Sequence, residues 1–332
     1  MKYKYCHLVI FLFVSSFLKA QEGIPVYLDY LSDNYYLVFP SMAGAGYGGK
    51  ARLTARQQWF DQQEAPNLQT VNAHARVGQQ SGIGGIVFRD QNGYHSQTGV
   101  QLTYAHHLNF WRGNDKEVNQ LSFGLSLGVI QASLDETNFD PRDFDPLIAG
   151  IKQSTSYFNV DFGFSYHLLN LYAHFAVKNL LFANRNINSE IESNNQRNYL
   201  LAGGYVFEGK RGWSYEPSLL FQWYEFTGQG SIDINGKVYK DLEQATIWGG
   251  LSYRNSFDGA QFVDGVGVGE QRLQLISPII GFNKNNWMFA YTYSYQIGDI
   301  TFDSGGFHQI TLGFNFLESQ KPYDCKCPSV NY

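Results

Sequence analysis

The chain is predicted to be all-β: a single transmembrane antiparallel β-barrel of about fourteen strands. Three observations lead there. Apolar side chains recur with a period of two in "LSFGLSLGVIQAS", where Leu121, Phe123, Leu125, Leu127 and Val129 alternate with Ser122, Gly124, Ser126 and Gly128. The 332 residues are rich in aromatics and glycine, with 23 Tyr, 26 Phe and 34 Gly against 9 Pro. Mean hydropathy is nevertheless −0.29, and beyond the first twenty residues no apolar stretch approaches the length of a spanning helix. A chain can be polar on average and still cross lipid as a barrel, because only alternate residues face the bilayer.

Residues 1–20 read as a secretory signal peptide. Lys2 and Lys4 supply positive charge, Leu8 to Leu18 a short apolar run, and Ala20 a small residue at the cleavage point. The apolar run is too short for a membrane anchor. Residues 21–49 follow as an N-terminal segment that includes "DNYYLVFPSMAGAGYGG", too apolar for a linker and interrupted by Pro40.

Residues 50–316 form the expected barrel. Strands are predicted over 50–59, 67–77, 82–90, 96–110, 118–132, 155–167, 170–179, 198–208, 212–226, 230–239, 244–254, 272–283, 286–297 and 306–316. Most are long enough to cross a bilayer at a tilt. Asn235-Gly236 falls inside the tenth and could itself be a hairpin turn. Links after even-numbered strands are short, whereas three after odd-numbered strands, near 133–154, 180–197 and 255–271, are long. Bacterial outer-membrane barrels sort their connections in this way, with short turns in the periplasm. The last strand ends on Phe316, and a polar tail, 317–332, follows.

These residues carry a family resemblance. "NYYLVFPSMAGA", "RQQWFDQQEAPNLQTVNAHARV", "SGIGGIVFRDQNGYHSQTGVQLTYAHHL", "LYAHFAVKNLL", "SIDINGKVYK", "IWGGLSYRNSFDGAQ" and "SGGFHQITLGFNF" occur in an order that resembles the PorP/SprF family of outer-membrane proteins from type IX secretion and gliding systems. Phe39-Pro40-Ser41 departs from the Asn-Pro-Ala of many members. The resemblance implies a barrel in the bacterial outer membrane that contacts lipid and works with periplasmic secretion components, such as a lipoprotein ring. It equally implies a role in exporting and anchoring a large surface adhesin through its C-terminal domain. A passive diffusion porin for small solutes is the alternative reading, and a barrel phospholipase a third.

A barrel of this size has a lumen that wall side chains do not fill. The N-terminal segment is therefore expected to fold inward as a plug, with Tyr35, Tyr36, Phe39 and Pro40 packing and Gly44 permitting close approach. Arg52, Arg56, Asn72, His74 and Arg76 fall in the phase opposite Leu53, Ala55 and Val71, which lines them along the lumen.

Little else suggests chemistry. The net charge of −5 argues against nucleic acid. Neither a cofactor nor a small-molecule substrate is expected, and no catalytic or metal site is assigned. Adjacent His106 and His107 point to opposite faces, and Ser126 with His167 is one of many chance Ser/His pairings. Asp135, Glu136, Asp140, Asp143 and Asp145 share a loop with Arg142 and read as a solvated acidic loop, with Ca²⁺ the alternative. Cys325 and Cys327 could bridge each other or pair with a partner.

Overall fold

The computed structural model describes residues 29–46, 48–58, 65–110, 118–137, 150–182, 195–264, 267–297 and 306–317. The leader, Asp140, Arg142, Asp143, Asp145, Cys325 and Cys327 lie outside the described residues.

Antiparallel strands close on themselves. They are β1 (Gly49–Gln58), β2 (Asn67–Val77), β3 (Ser81–Asn92), β4 (His95–Asn109), β5 (Asn119–Asp135), β6 (Lys152–Leu168) and β7 (Leu171–Lys178). Then come β8 (Asn198–Tyr205), β9 (Phe207–Glu208), β10 (Trp213–Tyr224), β11 (Gly230–Asp241), β12 (Ala245–Asp264), β13 (Gly267–Lys284), β14 (Trp287–Ile297) and β15 (Phe307–Phe316). Each wall strand pairs with its sequence neighbour, and β15 returns to β1 with Phe316 opposite Gly49. The β9 strand is a two-residue continuation of β8 past Val206, so the wall has 14 strands plus this extra piece. Closure removes every sheet edge that would otherwise leave backbone groups unpaired in hydrocarbon.

The period of two becomes an outside and an inside. Val100, Leu102, Tyr104, Phe123, Leu125, Leu127, Val129 and Phe158 are exposed, the last at 74%. Their neighbours Gln101, Thr103, Ser122, Ser126, Asn159 and Asp161 are buried. Apolar side chains outside and polar ones inside invert a soluble domain, and lipid supplies the reason. Leu125→Arg is therefore expected to destabilise the protein by about 2–4 kcal/mol, read as a lower temperature for loss of the fast-migrating folded band on a gel. Ser126→Arg, which an open lumen would tolerate, is also expected to be costly. Ser126 is 2% exposed and lies 2.7 Å from the Thr103 hydroxyl, which accepts a hydrogen bond from Tyr36.

Two local expectations are corrected. Asn235-Gly236 is not a turn but mid-strand in β11, opposite Ser218 and Pro217 of β10. The stretch 255–271 is not a long loop, because β12 and β13 run on as a paired hairpin to Asp264 and Gly267, with a register shift between Asn255 and Gly259. The sequence of that extension lacks regular apolar alternation, which is the signal by which the other strands were read.

The turns at 78–80, 169–170, 209–212, 242–244 and 285–286 share one rim with the start of β1, the end of β4, the start of β5 and the end of β15. The strand ends at Gln58 and Asn67, Asp135 and Lys152, Lys178 and Asn198, and Ile297 and Phe307 share the other.

Candidate functional site: the barrel interior

Ahead of β1 the chain makes three short turns: a 3-10 turn at Asp29–Ser32, a helical turn α1 at Tyr35–Val38, and a second 3-10 turn at Pro40–Met42. Asp33 adopts a left-handed conformation, with φ of 57°, between the first two. Pro40 stands at the start of the last turn, where its missing N–H costs nothing. Residues Asp29 to Gly46 are buried throughout.

What buries them is the inward face of the wall. The Tyr36 hydroxyl donates to Thr103 of β4 at 2.8 Å, and Ser41 shares a 2.6 Å bond with Ser165 of β6. Gly44 N–H donates to His74 Nδ1 of β2 at 2.9 Å. Lys178 of β7 donates to the Leu37 carbonyl at 3.2 Å while bonding Asp161. On the facing side, Tyr30 donates to Asp233 of β11 at 2.8 Å, and Lys237 of β11 bonds Asp33 at 2.7 Å.

The wall makes room by omitting side chains. A Cβ on Gly124 would collide with Pro40 and Ser41 backbone, and one on Gly82 with the Ala43 carbonyl. Both glycines sit on the inward phase of their strands, so they act by permitting close approach rather than by flexibility.

Charge concentrates where β10, β11 and β12 face the segment. Glu216 accepts from Tyr35 at 3.2 Å and Tyr239 at 2.5 Å, also bonds Tyr172, and lies 3.2 Å from Lys237 Nζ. Asp233 receives a two-pronged bond from Arg254, at 2.6 and 2.7 Å. Every member is buried. Charges survive in such a place only as paired, hydrogen-bonded sets.

The expected plug residues occupy distinct places here. Tyr35 reaches Tyr172 and Glu216, Tyr36 reaches Thr103, Phe39 stacks 4.9 Å from His174, Pro40 covers Gly124, and Gly44 meets His74. The expected lumen residues divide. His74 and Arg76 meet the end of the segment, Arg76 donating to the Ala45 carbonyl at 3.0 Å. Arg52 stands opposite Asn72 in the strand register and donates to Asn315 at 3.1 Å, whereas Arg56 lies over the Phe307 ring.

Glu216, Asp233, Lys237 and Arg254 were not singled out from sequence. Their signal was available: a charged residue on the inward phase of a spanning strand needs a partner.

Ser126 and His167 do not form a pair with each other; Ser126 bonds Thr103. Two other Ser/His pairs do form, His107 with Ser122 and His174 with Ser165, each at 2.8 Å. The second nitrogen of His107 lies 2.9 Å from the Ala43 carbonyl, an acceptor only, so Nε2 carries the proton and Nδ1 accepts. All four side chains are almost fully buried beneath the segment. Among the described residues, no group of three or more His, Cys, Asp or Glu side chains is placed to hold a metal.

A closed antiparallel barrel with a lipid-facing apolar exterior and a polar interior defines an outer-membrane β-barrel. The chain belongs to the PorP/SprF family of type IX secretion system membrane proteins, whose model matches residues 19–314. No curated protein matches it. Similar solved structures include a FadL homologue from Pseudomonas aeruginosa, at 10% identity over 86% of this chain and 94% of that one, with a TM-score of 0.48. The deltaS2 mutant of the TodX monoaromatic hydrocarbon channel gives 7% identity, 86% and 94% coverage and a TM-score of 0.47. BamA from Haemophilus ducreyi lacking POTRA domains 1–3 gives 8%, coverage of 81% and 70%, and 0.40.

Proposed function

We propose that this chain is a non-enzymatic, closed docking barrel of the type IX secretion and gliding apparatus. Residues Asp29–Gly46 obstruct the lumen, and the protein offers its two rims to other proteins. The short-turn rim faces the periplasm and contacts the lipoprotein ring; the long-loop rim faces outward and helps to hold the C-terminal domain of an exported adhesin. One observation carries the closed reading: the segment hydrogen-bonds inward groups of β2, β4, β6, β7 and β11, so its attachments run across the barrel from wall to wall. A diffusion porin has no use for such a crossing.

Planar-bilayer conductance tests this. The mature chain is expected to conduct poorly, and a chain lacking residues 29–46 to conduct as an open barrel. A mature chain that already conducts like the deletion overturns the closed reading in favour of a diffusion porin. Recovery of the ring lipoprotein or of the adhesin with the cross-linked barrel supports the docking role, and loss of both from cross-links overturns it.

A further inference from the structure

Four histidines line the inward wall behind Tyr35–Gly44: His74 of β2, His107 of β4, His167 of β6 and His174 of β7. His74 is half-buried and the other three are buried. Two of them hold the segment only as neutral rings. His74 Nδ1 accepts the Gly44 N–H at 2.9 Å. His107 Nδ1 accepts from Gln120 Nε2 at 3.3 Å, while Nε2 donates to the Ala43 carbonyl at 2.9 Å. A protonated imidazole has two donors and no acceptor, so a proton on either Nδ1 would face another donor. His74 would then lose Gly44 altogether. His174 bonds Ser165 through Nδ1 and packs its ring against Phe39, Tyr35 and Tyr172.

Positive charge would also be badly placed here. The charges that act on these rings are cations: Lys50 and Arg52 on His74, Arg76 on His107, and Lys50 on His167. Among the described residues no carboxylate bonds His74, His107 or His174. The interior carboxylates are paired elsewhere. Asp161 meets Lys178, Asp33 and Glu216 meet Lys237, Asp233 meets Arg254, and Asp29 meets Thr54 and Arg56. Glu216 reaches toward the histidines only through the hydroxyls of Tyr35 and Tyr172. A buried charge without such a partner is strongly unfavourable.

We infer that acid unseats Asp29–Gly46: His74, His107 and His174 take up protons once the segment lifts and water reaches them, and this opens the barrel. In water an imidazole binds a proton below about pH 6.5. The seated rings stay neutral, so the released state binds more protons and gains as pH falls. Each histidine that charges only on release shifts the balance about tenfold per pH unit below that value, and three shift it about a thousandfold. This rests on the segment obstructing the lumen, and the test separates the two ideas.

Planar-bilayer conductance of the mature chain is recorded from about pH 8 to about pH 5, beside the chain lacking residues 29–46, with folding confirmed by heat-modifiable gel mobility. The expected result is a reversible rise in the mature chain toward the level of the deletion, beginning below about pH 6.5, while the deletion stays constant. No rise, or an equal rise in the deletion, overturns the acid release. A mature chain as conductive as the deletion at about pH 8 overturns the closed reading itself, and the acid release with it. His74→Asn with His107→Gln keeps an acceptor for Gly44 and a donor for Ala43 but takes up no proton. The open-to-closed ratio should then change about tenfold per pH unit rather than about a thousandfold. An unchanged pH dependence assigns the release to the carboxylates and overturns the role of the histidines. Ser41→Cys with Ser165→Cys, in a chain carrying Cys325→Ser and Cys327→Ser, ties the segment to β6 when oxidised. The acid rise is expected to vanish in that chain and to return on reduction; a rise that persists in the oxidised chain overturns release of the segment.

Discussion

Gly124→Leu is expected to drive Asp29–Gly46 out of the barrel while leaving the barrel folded. Gly124 points inward from the middle of β5, and any side chain there meets the Pro40 carbonyl group and the Ser41 nitrogen. Overpacking of this kind typically costs about 1–3 kcal/mol, and here the backbone that must give way is that of the segment, not of the paired wall. Conductance is expected to rise to that of the segment deletion, and chymotrypsin to gain access to Tyr35 and Tyr36, with gel mobility of the folded form retained. Gly236→Leu is the control, since the outward face of Gly236 has nothing within 4 Å. Unchanged conductance and continued protease protection in Gly124→Leu would show that the segment does not depend on that contact.

The second large effect is expected from Lys237→Met. Lys237 Nζ stands 2.7 Å from Asp33 and 3.2 Å from Glu216, and all three side chains are almost wholly buried. Removing the cation leaves two carboxylates facing each other without compensation, a change that in buried pairs costs about 3–5 kcal/mol. Thermal unfolding followed by gel mobility should register it as a large drop. Adding Asp33→Asn to Lys237→Met should recover part of the loss, since coupled partners typically interact by about 0.5–3 kcal/mol. Additive losses would mean that Asp33 does not meet Lys237 in the folded protein.

The wall of this protein was legible in its sequence for a physical reason. A spanning strand has lipid on one side and a polar interior on the other, so Leu121 to Val129 must alternate with Ser122 to Gly128 whatever the neighbours are. Where lipid ends, legibility ends. The paired hairpin at Asp264 and Gly267 read as a loop, and β8 gave no warning of its break at Val206. For Arg52, Arg56, Asn72, His74 and Arg76 the strand phase suggested a facing, but what each one touches was not readable. Arg76 meets Ala45 and His74 meets Gly44, whereas the Asn72 side-chain amide has no hydrogen-bond partner among the described residues.

Sequence alone therefore determined the barrel and most of its strands, because these follow from alternation over neighbouring residues. The tertiary structure alone decided that Asp33 pairs with Lys237 and Tyr30 with Asp233, partners 204 and 203 residues apart. A period of two says that a side chain points inward, but the group it faces there depends on barrel closure, which brings distant parts of the chain into one low-dielectric interior.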